Sequence, residues 1–304
     1  MENRALTSIV SYPERGEGGN NRYRGNCSPK MVEDLIAFYK PHTISDYMCG
    51  SGTTGDAAKT CGIQSNLYDL HSGFDIMNCD IPERNEAIFW HPPYWDIILY
   101  SDVMYKASDV QAQYGYDPRQ FDLSRIPSWD KFVEAMNYAM MKQFTSLEKG
   151  GRIAVLMGDI KKKGVLYSML AEIAKPGTLE QIIIKAQHNC FSDRQQYSGK
   201  FIPIQHEYLM ICRKDEPLII PVMLPKRYQT DMRDLRCSTW RDVVYSIMET
   251  TKGPVSLDWL YEQIDGHEKA KRNDHWREKV RQVLQINPRY FRNASRGMWE
   301  MVAA

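Results

Sequence analysis

Three glycines early in the chain have the spacing of a nucleotide-binding turn. Gly50, Gly52 and Gly55 form G-x-G-x-x-G between a predicted strand and a predicted helix. Asp69 follows at about the distance expected of a ribose-binding carboxylate. Glycine lets a ligand approach the backbone, and a helix N-terminus favours a carboxylate or phosphate. The turn alone is compatible with a dinucleotide dehydrogenase, an S-adenosylmethionine enzyme or a turn that binds nothing, whereas the missing G-K-[ST] ending excludes a Walker-type loop.

Two longer motifs distinguish between these possibilities. Residues 46–54 read D-Y-M-C-G-S-G-T-T, which resembles the D-P-x-x-G-S-G-T-T cofactor motif of amino-methyltransferases acting on nucleic-acid bases. Residues 91–95 read H-P-P-Y-W, which resembles the catalytic [DNS]-P-P-[YFW] motif of the same enzymes. The two motifs follow successive predicted strands in the order that the family uses, and this combination is more specific than either motif alone.

The resemblance covers about 20–214 and is closest to small phage- and prophage-type adenine methyltransferases. Residues 24–30 are similar to the family segment that closes over the methionine part of the cofactor, and residues 206–214 to its closing strand. The resemblance implies S-adenosyl-L-methionine as cofactor, with ribose hydroxyls on Asp69 and the adenine amino group on Asp80, for which Asp75 is the alternative. The implied cofactor-binding residues are Arg24, Asn26, Ser28, Asp46, Met48, Gly50, Gly52, Thr53, Thr54, Asp69 and Asp80.

The H-P-P-Y-W segment would act on an exocyclic amino group, a poor nucleophile because its lone pair is conjugated with the base. If the His91 side chain and the Pro92 carbonyl each accept a hydrogen bond from it, the nitrogen can attack a methyl sulfonium in line. Pro92 and Pro93 hold that carbonyl rigidly because proline fixes φ. Tyr94 would stack on a flipped-out base. Trp95 would line the same pocket, and the alternative for both aromatic residues is ordinary core packing at a strand end.

His91 departs from the Asp, Asn or Ser that family members carry at this position. A histidine accepts a hydrogen bond only while it is neutral, through the nitrogen that lacks a proton. We therefore expect neutral His91 to take the acceptor role, with activity falling as acid protonates it across the histidine titration range. A catalytically inactive copy is the alternative.

The predicted elements place both motifs at the ends of strands in an α/β fold. Residues up to about Arg24 are predicted to form an irregular arm. Beyond the arm, strands alternate with helices, which predicts a doubly wound, mostly parallel sheet of the Rossmann-like class I methyltransferase type. The predicted strands are 43–48, 65–68, 86–90, 153–157, 181–185 and 208–212, and the clearest helices are 29–41 and 129–147.

A change of composition separates a predicted methyltransferase catalytic domain, 1–225, from a second domain, 235–304. The Pro-rich residues 217–225 are predicted to be a connector or an edge segment. The second domain has the helix, helix, helix, hairpin order of a winged-helix fold. Its predicted helices are 240–250, 255–264 and 275–285, followed by two short strands at 290–291 and 297–299.

The charge balance makes any nucleic-acid contact local. The chain has 39 Lys and Arg against 38 Asp and Glu, a net charge of +1. We expect double-stranded DNA as the partner, with short or relaxed sequence specificity because no long insertion accompanies the motifs. The third helix of the winged-helix-like domain could enter the major groove or could dock a protein. The candidate DNA-binding residues are Arg22, Tyr94, Trp95, Lys161, Lys162, Lys163, Arg194, Lys200, Arg277 and Arg281.

The remaining composition defines the expected setting. The 7 cysteines form no C-x-x-C pair, which predicts a reduced compartment without a structural zinc. No apolar run approaches the roughly 18 residues of a membrane span, so we expect a soluble protein without a membrane partner, in the cytoplasm of a bacterial or phage-infected cell.

The expected activity is methyl transfer from S-adenosylmethionine to adenine N6 in DNA. Cytosine N4 is the close alternative, because the same tetrapeptide serves both bases, and related P-P-Y enzymes act on RNA or on protein glutamine. The alternatives from other classes are an NAD-dependent dehydrogenase and a non-catalytic winged-helix DNA-binding protein. The dehydrogenase would leave Pro92, Pro93 and Tyr94 without a role.

Overall fold

The chain divides into two units, Met1–Pro225 and Lys226–Ala304. The computed structural model describes residues 6–20, 22–103, 107–188, 200, 202–226 and 229–302. The strands of the first unit are β1 Ile9–Ser11, β2 Thr43–Asp46, β3 Gln64–Leu67, β4 Asn85–Trp90, β5 Leu147–Met157, β6 Ile160–Lys162, β7 Val165–Tyr167, β8 Lys175–Pro176, β9 Thr178–Ala186, β10 His206–Arg213 and β11 Val222–Met223. Its α-helices are α1 Pro29–Tyr39, α2 Thr53–Cys61, α3 Tyr100–Val103, α4 Ala107–Tyr114, α5 Trp129–Ser146 and α6 Met169–Glu172.

Seven strands of the described residues form one sheet, in the order β1-β9-β10-β5-β4-β2-β3. Neighbouring strands from β3 to β5 are parallel, β10 is antiparallel to both β5 and β9, and β1 is parallel to β9. Parallel neighbours need crossover connections, which here contain α2 between β2 and β3, and α5 between β4 and β5. The predicted doubly wound, mostly parallel α/β sheet is confirmed.

Helices cover both faces of this sheet. Successive side chains of a strand point in opposite directions, so one strand contributes to the core on each face. Ile88 and Trp90 of β4 enter a core with Met136 of α5. Phe89, between them, enters a second core with Leu35 of α1. Each such side chain contributes about 1.5–3 kcal/mol on burial. The end of β4, where the H-P-P-Y-W segment begins, is therefore held from both sides.

The prediction of an irregular N-terminal arm is wrong for Ile9–Ser11, which form the strand β1. The Ile184 amide of β9 donates a hydrogen bond to the Ser8 carbonyl at 2.9 Å, next to the paired residues. Three residues are too few for a recognisable alternation of apolar and polar side chains. This strand exists because β9 offers an unpaired edge, which no local pattern can reveal.

The second unit has a separate core and a three-stranded antiparallel sheet in the order β12-β14-β13. Its α8 begins two residues later than predicted, because Val255 and Ser256 pair with β14 and the Ser256 hydroxyl accepts a hydrogen bond from the Trp259 amide. No described helix of either unit combines the length and apolar character needed to span a membrane. In chain order the elements are α7 Trp240–Glu249, β12 Val255–Ser256, α8 Leu257–Ile264, α9 Glu268–Lys271, α10 Trp276–Ile286, β13 Phe291–Ser295 and β14 Met298–Met301.

Candidate active site

The glycine turn between β2 and α2 has the geometry that its sequence requires. Gly50 and Gly52 have φ angles of 51° and 83°, a left-handed conformation that glycine adopts without penalty. The Gly50 amide donates to an Asp69 carboxylate oxygen at 2.9 Å. Gly55 serves packing, because a Cβ there would lie 2.5 Å from Leu67 Cδ1. The first two glycines thus shape the turn, and the third lets α2 approach β3.

Two buried carboxylates flank this turn. Asp46 accepts hydrogen bonds from the Met48 amide at 3.0 Å and the Thr54 hydroxyl at 2.5 Å, and burial raises the pKa of Asp46 to about 7. Burial alone would also raise the pKa of Asp69, but the hydrogen bond and charge of His71 at 2.6 Å lower it below its ordinary value. The Asp69 carboxylate is therefore ionised at neutral pH, whereas the Asp46 carboxyl, with a pKa of about 7, is about half protonated there.

A cavity opens at the carboxyl ends of β2, β3 and β4. Open α/β sheets usually bind ligands at the carboxyl ends of their parallel strands. Aromatic rings of Tyr23, Phe74, Tyr100 and Phe121 form part of its wall. The predicted site residues that line it are Asn26, Asp46, Met48, Gly50, Thr53, Thr54, Asp69, His91 and Pro93.

Other predicted residues lie outside this wall. Ser28 donates its hydroxyl proton to the Arg15 carbonyl at 2.7 Å and is buried beneath the arm. Asp80 is exposed, whereas its alternative, Asp75, is buried and lines the cavity. Among the residues described, the predicted cofactor-binding, catalytic and base-contacting residues absent from the wall are Arg24, Ser28, Gly52, Asp80, Pro92, Tyr94 and Trp95.

His91 is connected to a buried ion pair through Tyr94. His91 Nε2 lies 2.9 Å from the Tyr94 hydroxyl, which donates to Glu207 at 2.6 Å. Lys185 bonds the other Glu207 oxygen at 2.6 Å. Burial alone would raise the pKa of Glu207, but the Lys185 charge lowers it to about 2, whereas burial lowers the pKa of His91 to about 4. At neutral pH the glutamate is therefore ionised and the histidine neutral.

Tyr94 and Trp95 are held by the protein itself. A Cβ at Gly158, just beyond β5, would lie 2.7 Å from the Tyr94 ring, so this glycine makes room for it. The Trp95 indole donates to the Ile126 carbonyl at 2.8 Å and packs against Trp129 with ring centroids 5.5 Å apart. In this conformation Trp95 belongs to the core and Tyr94 presents no face to the cavity.

The predicted DNA-binding residues are spread over several surfaces. Lys161 and Lys162 belong to β6, and Lys163 is in the turn of the β6-β7 hairpin, a hairpin that the sequence analysis did not predict. Lys162 is already engaged, with Asp96 as its ion-pair partner and its ammonium 4.1 Å from the Trp95 ring centroid. Arg22, Lys200, Arg277 and Arg281 are exposed, and Arg194 lies outside the described residues.

Sequence reasoning missed the contribution of Lys185 and Glu207 to this site. They face each other in register on β9 and β10, so their charges meet across the strands. The available signal was a charged residue close to an apolar run in each case, Lys185 after Ile182–Ile184 and Glu207 shortly before Leu209–Cys212. The contact of Glu207 with Tyr94 depends on β10 running antiparallel to β5, so that β10 begins beside the carboxyl end of β5.

The sequence matches no family model and no curated protein. Among solved structures, TTHA0409 of Thermus thermophilus, assigned as a DNA modification methylase and solved with S-adenosyl-L-methionine, is 15% identical over 64% of this chain and 60% of its own, with a TM-score of 0.29. TrmN of Thermus thermophilus is 14% identical over 63% and 50%, with a TM-score of 0.32. The mitomycin 7-O-methyltransferase MmcR is 13% identical over 61% and 54%, with a TM-score of 0.31. This chain thus spans less than two thirds of each, and likeness this distant does not define its substrate.

Proposed function

We propose that the protein is an S-adenosylmethionine-dependent methyltransferase that modifies adenine N6 in double-stranded DNA. The observation that carries the proposal is a single cavity lined by the glycine turn, Asp69 and His91. The turn and the acid suit a nucleoside cofactor, and His91 begins the segment suited to hold an amino group. This combination gives a use to both motifs, whereas a dehydrogenase would use only the first.

The cofactor would lie along the ends of β2 and β3. The buried carboxylate of Asp69 lines the cavity and would accept hydrogen bonds from the ribose hydroxyls, beside those it accepts from Gly50 and His71. Asp75 suits the adenine amino group of the cofactor better than Asp80, because only Asp75 lines the cavity. Bound there, the cofactor supplies an electrophilic methyl group.

The target base would enter beside His91. The His91 side chain and the Pro92 carbonyl would accept the two amino hydrogens and so direct the nitrogen lone pair toward the methyl group. Tyr100 is the better candidate for stacking on the base than Tyr94, because it lines the cavity while the Tyr94 hydroxyl is bonded to Glu207. Stacking of this kind contributes about 1–3 kcal/mol per base.

The second unit would supply duplex affinity as a winged-helix-like domain. Its α10 buries Val280, Val283 and Leu284 in the core of the unit and exposes Arg277 and Arg281. A basic outer face on the third long helix suits contact with phosphates in a major groove. Arg281 shares its charge with Glu278 at 3.0 Å, which weakens this contact and leaves protein docking as the second possibility.

The experiment is a methyl-transfer assay with product identification. The full chain is incubated with S-adenosylmethionine labelled in its methyl group and with mixed-sequence duplex DNA, and the DNA is digested to nucleosides for mass spectrometry. We expect the labelled product to be N6-methyl-2′-deoxyadenosine. Labelled N4-methylcytosine would favour the alternative base, and parallel reactions with RNA and single strands define the polymer.

Calorimetry separates the cofactor classes independently of the acceptor. We expect S-adenosylmethionine to bind the full chain and NAD not to bind. Binding of NAD alone would contradict the proposal and favour the dehydrogenase. Duplex binding without binding of either cofactor would leave a non-catalytic DNA-binding protein.

A further inference from the structure

Four side chains form a continuous hydrogen-bonded connection behind the cavity. It runs from Lys185 through Glu207 and Tyr94 to His91, with donor to acceptor distances of 2.6, 2.6 and 2.9 Å. Lys185 and Glu207 are 9% and 6% exposed. Water therefore competes little for these groups, and each hydrogen in the connection can be assigned to one donor atom.

Counting donors fixes the direction of every bond. Lys185 donates only, and Glu207 accepts only, because an ionised carboxylate carries no proton. The Tyr94 hydroxyl has a single hydrogen, and Glu207 takes it. The Tyr94 oxygen is then an acceptor toward His91, so Nε2 must carry the imidazole hydrogen. A neutral ring with Nε2 protonated has a free lone pair on Nδ1, for which no described residue is a hydrogen-bond partner.

We infer that Glu207, held by Lys185, is a positioning residue that acts through Tyr94 to keep His91 in the Nε2-H tautomer, with Nδ1 as the hydrogen-bond acceptor of the site. The catalytic purpose of this tautomer rests on the proposed function, because an acceptor nitrogen suits a substrate amino group. It explains how a histidine can replace a carboxylate or amide in the first position of the segment. Asp, Asn and Ser need no such control, whereas histidine accepts or donates according to its tautomer.

The fold builds this connection at some cost, which argues against a chance contact. Tyr94 reaches β10 only by crossing the end of β5, and a side chain at position 158 would block it. An ion pair buried between two strands is also weak evidence of stability, since apolar residues of similar volume usually serve as well. A requirement for one tautomer of His91 accounts for both features.

Glu207→Gln tests the inference because it should reverse the donor and acceptor roles along the connection while keeping a side chain of the same size at position 207. The carbonyl of the introduced carboxamide must face Lys185, which only donates, so the amide nitrogen faces Tyr94. The Tyr94 oxygen then accepts from the amide, its hydrogen turns to His91 Nε2, and Nδ1 becomes protonated. The same site would change from acceptor to donor.

The readout is long-range ¹H–¹⁵N correlation NMR of the full chain labelled in its 7 histidines. The signal of His91 is assigned by its loss in His91→Asn. We expect the wild type at pH 7 to show Nε2 protonated and Nδ1 unprotonated, and Glu207→Gln to show the reverse. A free imidazole already favours Nε2-H, so the change in the variant carries the test. An unchanged His91 pattern in Glu207→Gln, or a wild type with Nδ1 protonated, overturns the inference.

Tyr94→Phe provides a second test if the buried charge of Lys185 prevents Glu207→Gln from folding. It keeps the ion pair and removes only the connecting hydroxyl, so the His91 ring should become a mixture of tautomers with averaged nitrogen shifts. A pure Nε2-H pattern in Tyr94→Phe overturns the inference. Glu86→Gln is the matched control, because Glu86 contacts the exposed His42 far from the cavity, and it should leave the His91 signals unchanged.

Turnover adds a test that a merely structural role would not pass. We expect Glu207→Gln to lower kcat about 100-fold, the size of losing one oriented hydrogen-bonding group. In a His91→Asn background the amide oxygen accepts without tautomer control, so adding Glu207→Gln should lower kcat far less than it does in the wild type. An equal loss in both backgrounds overturns the inference. If the wild type methylates no nucleic acid, the proposed function fails, while the NMR patterns still decide the tautomer.

Discussion

His91 sits in surroundings unlike those of an exposed histidine, and this changes the expected chemistry. Burial lowers its pKa from 6.5 to about 4, with the Lys185 charge acting in the same direction and the Glu207 charge opposing it. A neutral ring at pH 7 is what an acceptor requires. The sequence alone predicts a loss of activity across the ordinary histidine range, and the structure moves that loss to more acidic pH.

The pH profile of methyl transfer tests this shift. We expect no step in kcat from His91 between pH 8 and about 5.5, and a decline only as pH falls toward the folded-state pKa of about 4. The unfolded chain binds the proton more readily, so the free energy of unfolding should also fall from pH 6.5 downward. His91→Asn should remove this part of the stability slope in urea titrations. A decline of kcat centred near 6.5 that vanishes in His91→Asn would contradict the assignment.

The two candidate acids for the cofactor adenine can be separated by matched substitutions. Asp75→Asn should weaken S-adenosylmethionine binding about tenfold or more, because Asp75 lines the cavity and loses its charge-assisted acceptor. Asp80→Asn is the control, since that residue is exposed outside the wall. Calorimetry measures both, and equal affinities for the two variants would place the adenine elsewhere.

At the level of elements, the end of β5 decides what the segment 91–95 can do. Gly158 follows β5, and a Cβ there would lie 2.7 Å from the Tyr94 ring, closer than real side chains approach. Tyr94 cannot yield easily, because its hydroxyl is bonded to Glu207 on β10. The space left by Gly158 at the end of β5 thus fixes the position of Tyr94, and through the Tyr94 hydroxyl it affects His91.

Gly158→Ala should therefore displace Tyr94 and disturb His91 without removing any polar group. We expect a destabilisation of about 1–3 kcal/mol from overpacking, together with a loss of kcat that exceeds any change in cofactor affinity. Gly253→Ala is the control, because a Cβ there would meet nothing within 4 Å. Urea unfolding and steady-state kinetics measure the two effects, and a fully active Gly158→Ala would show that Tyr94 is not needed in this position.

The elements differ in how far the sequence predicts them, and the reason is the range of the forces involved. The strands β2, β3 and β4 are predicted within about two residues, because each is a short run next to a turn or proline. The edge strand β1 is not predicted, since its partner β9 lies far away in the chain. The connection from Lys185 to His91 is hidden for the same reason. It needs β9, β10, β5 and β4 in their observed pairing before all four of its side chains meet.

At the scale of the molecule, chemistry and binding would be divided between two units. The first has two cores, one on each face of its sheet, and contains the whole cavity. The second has a core of its own, built around Val244, Leu260 and Val280. Because each unit buries its own apolar residues, each can be studied as a separate polypeptide.

The fragment Lys226–Ala304 should fold alone and bind duplex DNA in a salt-dependent manner. Each arginine that neutralises a phosphate releases counterions, so Arg277→Gln with Arg281→Gln should lower the slope of log affinity against log salt by about 2. Lys252→Gln, an exposed site outside α10, is the control. Fluorescence anisotropy across a salt series measures the slope. A fragment that melts cooperatively but shows no duplex affinity would contradict DNA binding by this unit and leave protein docking as its alternative, and the first unit would then have to hold DNA through its own basic residues.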